Sequence, residues 1–299
     1  MSDLDLRKLR YFVAVADGLH FGRAAEELYI AQSVLSRQIR RLERDLGADL
    51  LVRSSRRVEL TEAGRQLLEE ARPLLAAADV ARRRVQDAAQ GVRRLTVGFF
   101  IGDPISRLVR AFRAAHPDVT VDAVRIYWHD QPRALLDGRV DVALVHLPID
   151  EEGLALVRLD RSPKVALLPS SHPLADRDEI RVTDVADEPM VRHRGASPTW
   201  EAWHNADPRP DGRRARSGPV IDNFEEKLEV VGTGQAISFV PVCVAAAVQM
   251  PPDVVAIPII DVPPVAICLA WKADRHRTTI TAFAETARTV LTNAARFAA

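Results

Sequence analysis

Residues 6–64 read LRKLRYFVAVADGLHFGRAAEELYIAQSVLSRQIRRLERDLGADLLVRSSRRVELTEAG. Within this stretch, apolar residues recur three times at the spacing of a helix that buries one side. The three sets are Leu9, Phe12, Val13 and Ala16; Phe21, Ala24, Ala25 and Leu28; and Leu35, Ile39, Leu42 and Leu46. The breaks around Gly18 and residues 29–31 leave room only for tight turns. The pattern therefore predicts three short helices in one compact bundle.

The third predicted helix carries polar and basic side chains on the side away from Leu35, Ile39 and Leu42. These candidates for DNA contact are Gln32, Ser33, Ser36, Arg37 and Arg40. Gln and Ser can hydrogen-bond to base edges in the major groove, and Arg can bind guanine or phosphate. Arginines on one side of a helix are more often a solvated surface, so this feature alone leaves both interpretations open.

Two short β-prone runs follow the third helix, between residues 50 and 60. A basic polar turn separates them, which is the pattern of a hairpin. Its arginines, Arg53, Arg56 and Arg57, can reach the DNA backbone or a narrow minor groove. The order of two helices, a polar third helix and a basic hairpin favours DNA binding over a helical bundle of no special purpose.

The whole stretch of residues 6–64 resembles the DNA-binding domain of LysR-type bacterial transcription regulators almost position by position. The matching motifs are AAEEL at 24–28, AQSVLSRQI at 31–39 and LTEAG at 60–64. The resemblance implies a winged helix-turn-helix with Arg53 in the wing. It also implies that the residues approaching the major groove are Gln32, Ser33, Ser36 and Arg37. The family often has proline at Ser33; because serine starts helices well, we expect the geometry to survive and the base preference to differ.

A long helix is predicted from Thr61, a suitable N-cap, to about Gln90. Its apolar residues alternate spacings of four and three and form a narrow stripe, namely Leu67, Ala71, Leu74, Ala78, Ala81, Val85 and Ala88. A lone helix cannot bury such a stripe, and the resemblance implies that the same helix of a second subunit covers it. Packing against the chain's own C-terminal part is the alternative. Pro73 is expected to kink this helix or loosen one turn.

After Gly91, strand patterns alternate with helix patterns, which predicts parallel sheets with helices on both faces. The predicted strands are 95–99, 119–124, 140–145, 164–168, 190–192, 236–240 and 265–271, and the predicted helices are 104–115, 131–137 and 279–295. Asp103 is expected to be the N-cap of the first of these helices, with Pro104 at its first position.

This C-terminal part resembles the LysR-type effector domain, which has two lobes and is shaped like a periplasmic binding protein. The matching motifs are SHPLA at 171–175, DVADEP at 184–189 and VVGTG at 230–234. We therefore expect an α/β protein with an all-α winged helix-turn-helix at its N-terminus. The expected parts are a DNA-binding domain at 1–61, a dimerising linker helix at 62–91 and an effector domain at 92–299. Its lobe I would comprise 92–161 and 265–299, and its lobe II 162–264.

Ligands of open α/β sheets bind beyond the carboxyl ends of the strands, here between the two lobes. The residues expected around the effector are Phe100, Ile101, Gly102, Asp103, Tyr127, Trp128, His129, His146, His193 and Phe224. Many relatives use Ser or Thr in two of these loops to hold a carboxylate, where this chain has Asp103 and Trp128. Because a carboxylate repels an anion, we expect a neutral or partly aromatic effector that stacks on Trp128.

The composition is that of an ordinary globular protein, with 299 residues, 47% of them hydrophobic and 27% charged. The formal net charge is zero, which neither supports nor excludes DNA binding. The first residues lack the apolar core of a signal peptide and no run approaches the length of a membrane span, so we expect a cytoplasmic protein without membrane contact. Cys243 and Cys268 form no CxxC motif and are expected to be buried fillers, not a peroxide-sensing pair.

No catalytic residue, metal site or cofactor is expected. The GTGQA run at 232–236 precedes a strand and does not open a helix after one, so it cannot cradle phosphates as a dinucleotide loop does. An exported solute-binding protein and an α/β transferase or hydrolase remain as alternatives, but neither explains the N-terminal helices. The expected partners are double-stranded DNA, a small-molecule effector, further copies of the chain in a homodimer or homotetramer, and RNA polymerase.

Overall fold

The computed structural model describes residues 4–53, 58–275 and 277–297. The chain divides into two compact units, Met1–Gln90 and Gly91–Ala299. Within the described ranges, no helix is both long enough and apolar enough to cross a membrane.

The N-terminal unit contains four helices and one β-hairpin. Its elements are α1 (Leu6–Gly18), α2 (Phe21–Glu27), α3 (Gln32–Leu46), β1 (Leu51–Arg53), β2 (Val58–Leu60) and α4 (Glu62–Ala89). Helix α1 packs against the other three helices, and Leu9, Phe12, Leu35 and Ile39 are fully buried in the core they share. The three predicted helices are confirmed. The predicted burial of Leu46 is wrong, since it is 41% exposed in the last turn of α3, beyond the core.

A buried carboxylate joins the hairpin to the third helix. Glu43 of α3 accepts hydrogen bonds from the backbone N–H groups of Leu50 and Leu51, at 3.1 and 3.3 Å. A carboxylate that accepts two such bonds offsets the loss of its hydration. The start of β1 is therefore held against α3, which fixes where the hairpin leaves the helical core.

Helix α4 begins as predicted and continues through Pro73. Thr61 is its N-cap, and the hydroxyl of Thr61 accepts a hydrogen bond from Gly64 N at 2.9 Å. Gly64 leaves no room for a larger residue, because a Cβ atom there would lie 2.1 Å from Leu50 O. The first turns of α4 therefore pack tightly against the base of the hairpin.

The C-terminal unit is an α/β structure with two lobes. The elements of lobe I are β3 (Arg93–Phe99), α5 (Ile105–Ala115), β4 (Val119–Arg125), α6 (Gln131–Leu136), β5 (Val142–His146), β6 (Leu154–Ser162), β12 (Val265–Lys272) and α10 (Thr278–Phe297). The elements of lobe II are β7 (Lys164–Pro169), a 3-10 helix (Val182–Val185), β8 (Pro189–His193), α7 (Pro198–His204), β9 (Arg216–Ile221), α8 (Phe224–Gly232), β10 (Ser238–Pro241), α9 (Val242–Ala247) and β11 (Val254–Ile259).

The sheets are mixed, so the prediction of parallel sheets was only partly correct. Lobe I has the strand order β4-β3-β5-β12-β6, in which β4, β3 and β5 are parallel and β12 is antiparallel to both of its neighbours. Lobe II has an antiparallel β10-β7-β11 sheet and a parallel β8-β9 pair, joined by a bridge between Met190 and Ile237. The physical reason is the path of the chain. Strand β6, which the sequence did not predict, passes through Pro163 into lobe II, and β12 returns from there in the opposite direction.

Candidate functional site

The outer side of α3 presents the polar residues expected to contact DNA. Leu35, Ile39 and Leu42 are buried on the inner side of this helix. Of the predicted contacts on the other side, Gln32, Ser33, Arg37 and Arg40 are exposed and Ser36 is half-buried. The buried stripe fixes the helix, so these polar groups form one surface that is free to meet a partner.

The beginning of α3 is open toward solvent. Its N-cap is Ala31, whose side chain offers no hydrogen-bond acceptor to the first amides of the helix. Tyr29, in the preceding turn, has φ 54° and is 95% exposed. An exposed tyrosine beside an uncapped helix start adds a further hydrogen-bonding group to this surface, which the sequence analysis had assigned only to a turn.

The wing is present as the antiparallel pair β1-β2, with Arg53 opposite Val58. Arg53 is the last residue of β1. The other two predicted wing contacts, Arg56 and Arg57, lie outside the described residues.

The apolar stripe of α4 divides into two parts. Ala71 is buried in the core of the N-terminal unit, and Leu67 packs against it. Farther along the helix, Leu74 is 45% exposed and Val85 is 70% exposed. The predicted stripe therefore serves partly to bind α4 to its own unit, and its distal part remains uncovered in this chain.

In the C-terminal unit, a cavity lies between the two lobes. Its lining residues are Phe100, Ile101, Arg125, Ile126, Tyr127, Trp128, Gln131, His146, Trp200, Trp203, His204, Phe224, Lys227, Val240, Pro241, Val244 and Val265. The space between these walls, including its opening to solvent, is about 580 Å³. Most of this space is too narrow for a water molecule, whose centre fits within only about 30 Å³. The cavity is therefore narrow, and a ligand larger than a few atoms must move its walls apart.

Tryptophans from both lobes form much of the wall. Trp128 of lobe I and Trp200 of lobe II have ring centroids 6.4 Å apart and nearly parallel planes, and Trp200 stacks on His204 at 4.5 Å. The Trp128 Nε1–H donates to Arg194 O across the lobes at 3.0 Å. Because this hydrogen bond satisfies its polar atom, Trp128 presents only ring surface to the cavity.

Two lysines are buried at the lobe II side of the cavity. Lys164 donates to Trp203 O at 3.1 Å, and its Nζ lies 3.6 Å from the centroid of the Trp203 ring. Lys227 lines the cavity and is 3% exposed, and its Nζ lies 5.5 Å from the centroid of the Phe224 ring. Burial lowers the pKa of each lysine to about 7, since removal from water disfavours the charged ammonium.

A hydrogen-bonded group of side chains lies behind this wall. Glu201 accepts from the backbone N–H of His193 at 3.1 Å and from Asn205 Nδ2 at 3.0 Å, and it lies 3.3 Å from His193 Nδ1. Burial, together with the nearby Lys227, lowers the pKa of His193 to about 4. Burial also holds the pKa of His204 well below its usual value. Both histidines are therefore neutral at pH 7.

Six of the ten predicted effector residues line the cavity, namely Phe100, Ile101, Tyr127, Trp128, His146 and Phe224. The other four do not. His193 is buried behind Trp128, at 5.0 Å between ring centroids, and His129 packs near Gly195 instead. Gly102 has φ 88° and approaches lobe II so closely that a Cβ atom would lie 2.7 Å from Cys243 O.

Asp103 neither caps α5 nor faces the cavity. The N-cap of α5 is Pro104. The carboxylate of Asp103 is fully buried, accepts from Phe100 N at 2.6 Å and lies 2.9 Å from His146 Nε2. The expectation of a neutral effector rested on repulsion by this carboxylate. That argument fails, because the carboxylate lies against His146 Nε2 and Phe100 N and does not line the cavity.

Helices α7 and α8 contribute residues to the cavity wall that were not predicted from the sequence. Trp200, Trp203 and His204 lie at helical spacing on one side of α7, a periodicity that could have indicated a buried aromatic stripe. Lys227 gave no such signal, because the EEKLE run around it reads as a solvated surface. Within the described part of the chain, no group of three or more His, Cys, Asp or Glu side chains could hold a metal ion.

Two family descriptions match this chain. "Bacterial regulatory helix-turn-helix protein, lysR family" matches residues 6–65, and "LysR substrate binding domain" matches residues 86–292. The chain belongs to the LysR family of bacterial regulators, which confirms the resemblance seen in the sequence. It carries the helix-turn-helix domain and the substrate-binding domain of this family.

Individual relatives are also transcription regulators. The chain is 39% identical over 194 residues to the regulator YnfL of Escherichia coli K12, a match to 63% of this chain and 65% of YnfL. It is 34% identical over 279 residues to HcaR, the Hca operon transcriptional activator of the same organism, which covers 90% of this chain and 92% of HcaR. The match to YnfL, like that to AlsR of Bacillus subtilis at 64% of its length, spans slightly less than two thirds of the relative.

Solved structures show the same architecture. The LysR family regulator CbnR is similar with a TM-score of 0.64 and 25% identity, over 96% of this chain and 99% of CbnR. Full-length CbnR in complex with its target DNA has a TM-score of 0.54 and 28% identity, over 96% of this chain and 100% of that chain.

Proposed function

We propose that this regulator reads an operator sequence with the exposed side of α3 and changes its activity when an effector occupies the cavity between the lobes. The observation that carries the proposal is the set of polar side chains left exposed on α3 above a closed apolar core. The protein then acts by binding and not by catalysis, in the cytoplasm, with RNA polymerase as a further partner. The parts we assign are DNA binding to 1–61, the linker helix to 62–91 and effector binding to 92–299.

In this proposal the residues on α3 and in the wing have different roles. Gln32, Ser33 and Ser36 hydrogen-bond to base edges, because amide and hydroxyl groups can match the donors and acceptors of the major groove. Arg37 and Arg40 contact guanine or phosphate. The wing arginines, Arg53, Arg56 and Arg57, contact the backbone and supply affinity that depends little on sequence.

We further propose that a second copy of the chain covers the distal part of α4. The uncovered apolar residues include Leu74 and Val85, and Ala78, Ala81 and Ala88 lie on the same stripe. Small alanines permit close approach of two helices, and burial of the stripe supplies the stabilisation that one helix lacks. A homodimer is the minimum assembly, and two such dimers can associate into a tetramer.

The experiment that tests the DNA-binding assignment compares operator DNA with random DNA of equal length. Fluorescence anisotropy on a fragment upstream of the protein's own gene gives both affinities. Gln32→Ala should reduce the discrimination between them by about 1 to 3 kcal/mol, which is roughly 5- to 150-fold, with random binding unchanged. Gln66→Ala, an exposed glutamine of α4 that donates to Glu70, is the matched control and should change neither affinity.

Two results would count against the assignment. Equal loss of operator and random binding in Gln32→Ala would show that this residue does not read bases. Absence of binding to any DNA at low salt would remove the regulator proposal itself and favour a solute-binding protein or an enzyme.

A further inference from the structure

The ammonium group of Lys227 lies in the wall of the cavity without a partner. No described residue gives it a hydrogen bond or an ion pair, and Glu201 is the carboxylate that acts on it at longer range. Glu201 is itself engaged with His193, Arg192 and Asn205. A buried charge without a partner destabilises the fold, because the charge has lost its hydration. The ammonium group of Lys227 therefore needs a negatively charged partner, which the described part of the chain does not supply.

Other polar atoms of the same wall are also without partners. Gln131 of lobe I accepts from His146 N through its Oε1 at 2.8 Å, which fixes the orientation of its amide. Among the described residues, no group accepts from the buried Gln131 Nε2, and none pairs with the buried His204 Nε2. Because buried polar atoms are nearly always satisfied in folded proteins, these atoms indicate hydrogen bonds to a bound molecule.

The charge of the wall has one sign. The lining residues include Lys227 and Arg125 but no Asp or Glu within the described part of the chain. Arg125 has Glu225 at 4.0 Å, whereas Lys227 has no such partner, so a cationic ligand would meet the charge of Lys227 and a neutral ligand would leave Lys227 unpaired. An anion offsets both costs.

The remaining walls suit a flat apolar body. Phe100, Trp128 and Trp200 belong to one apolar cluster. The narrow space between the walls favours a flat molecule over a bulky one. Aromatic ligands bind such surfaces by stacking and by edge contacts.

We propose that the effector is an aromatic carboxylate, with its acid group bound by Lys227 and hydrogen-bonded by Gln131, and its ring held among the tryptophans. This inference rests on the proposed function of the cavity as the effector site. Lys227 belongs to lobe II and Gln131 to lobe I, so one acid group holds both lobes in a single arrangement. A planar carboxylate has two oxygens for these donors and fits a narrow space better than a tetrahedral phosphate does.

Protonation of Lys227 provides a second test of the proposal. The titratable groups that interact with Lys227 are Glu201, His193 and His204, of which only Glu201 carries a negative charge. Burial lowers the lysine pKa to about 7, so part of the free protein has a neutral amine at pH 7.5. A bound anion raises this pKa again, and binding is therefore accompanied by proton uptake.

Isothermal titration calorimetry on the full-length chain tests the proposal with benzoate, benzamide and cyclohexanecarboxylate. Benzoate should bind about tenfold or more tightly than benzamide, because only the anion pairs with Lys227. It should also bind more tightly than the non-aromatic acid, and its heat in buffers of different ionisation enthalpy should show proton uptake. Lys227→Met should abolish the preference for benzoate over benzamide. Lys272→Met, a lysine paired with Asp274 at the end of β12, should preserve it.

Equal affinities for benzoate and benzamide, no benzoate binding at all, or an undiminished benzoate preference in Lys227→Met would each overturn the inference. Circular dichroism and a cooperative urea unfolding curve of Lys227→Met show whether the variant is folded, and operator binding by the ligand-free wild type tests the proposed DNA-binding function separately from this inference. Ile101→Trp obstructs the cavity. Benzoate binding that survives in Ile101→Trp would place the acid elsewhere and would contradict the effector assignment of the cavity as well.

Discussion

On α3 the polar side chains stand outside a closed apolar core, whereas in the C-terminal unit they stand inside the protein, behind tryptophans. Gln32 and Arg37 are exposed and remain hydrated in the free protein. Lys164, Lys227 and Glu201 are buried. An exposed group loses little on folding, while a buried one loses its hydration and must be compensated. The comparison shows that the polar surface of α3 lowers the stability of the protein very little, whereas the buried charges around the cavity lower it substantially.

Removal of Glu201 is expected to have the largest effect on this comparison. Glu201→Ala leaves the backbone N–H of His193 without its acceptor, removes one of the two acceptors of Asn205 Nδ2 (Val191 O remains) and removes the carboxylate that acts on Lys227. We expect the free energy of unfolding of the C-terminal unit to fall by about 3 to 5 kcal/mol. All four tryptophans, Trp128, Trp200, Trp203 and Trp271, lie in this unit, so urea unfolding followed by tryptophan fluorescence measures it selectively.

The control for this change is Glu229→Ala, which removes an exposed glutamate from α8. Its effect on stability should stay within about 0.5 kcal/mol. A similarly small effect of Glu201→Ala would contradict the comparison, because the buried carboxylate would then contribute nothing to the free energy of unfolding.

The buried lysines predict a stability that rises with pH. Each has a pKa of about 7 in the folded protein, against about 10.4 in an unfolded chain, so the unfolded chain binds more protons between these values. Stability should therefore increase from about pH 7 upward, by up to about 1.4 kcal/mol per pH unit for each lysine. Below pH 7 both states are protonated and the penalty is constant. Urea unfolding at a series of pH values measures the slope.

Variants separate the lysines from other titrating groups. Lys227→Met should remove about half of the slope that the two lysines cause and should raise the stability at pH 7, since an apolar side chain replaces a buried charge. Lys272→Met should keep the wild-type slope. An unchanged slope in Lys227→Met would mean that this amine is hydrated in solution.

Replacement of a predicted wing contact should have a smaller and purely electrostatic effect. Arg53→Ala should weaken binding to all DNA sequences and reduce the slope of log affinity against log salt by about one unit, because one phosphate contact is lost. Stability should not change. Anisotropy titrations across a salt series measure the slope, with Arg158→Ala, an exposed arginine of the C-terminal unit, as control. A slope unaffected by Arg53→Ala would show that the wing does not touch phosphate.

The smallest expected effect concerns the thiols. Burial raises the pKa of both Cys243 and Cys268, which lowers the fraction of reactive thiolate at neutral pH. Cys243 opens α9 in lobe II and Cys268 lies in the middle of β12 in lobe I. Peroxide should therefore leave the free thiol count and the operator affinity unchanged. Rapid oxidation of both residues, reversed by a reductant, would contradict this prediction.

The sequence predicted the N-terminal unit well because each of its elements is encoded locally. The apolar stripes of α1, α2 and α3 pack into one shared core. Thr61 is the N-cap of α4, as predicted. Even here, the buried position of Glu43 could not be read from its own helix. Its role depends on the backbone of Leu50 and Leu51, which reaches it only after the chain has turned.

The cavity was predicted only in part because its walls come from segments far apart in the chain. Residues that follow the strands of lobe I, such as Phe100 and Trp128, could be placed by the rule for strand ends. Trp200 and Lys227 belong to lobe II helices that fold back against lobe I, and no local pattern encodes that approach. Asp103 illustrates the same limit, since tertiary packing brings His146 to it and overrides its preference for capping α5.

Gly102 gives the two lobes a point of backbone contact at Cys243 and Val244, too close for any side chain to separate them. The lobes also meet at the hydrogen bond from Trp128 Nε1–H to Arg194 O and at the rings of Trp128 and Trp200, so the contact at Gly102 is one of several that set their spacing. A rotation of a few degrees displaces an atom in proportion to its distance from the axis, so small movements at the cavity become larger ones at the outer edges of the lobes. A side chain at position 102 would hold the backbones of the two lobes farther apart, and a small separation there would become a larger displacement at the outer edges of the lobes.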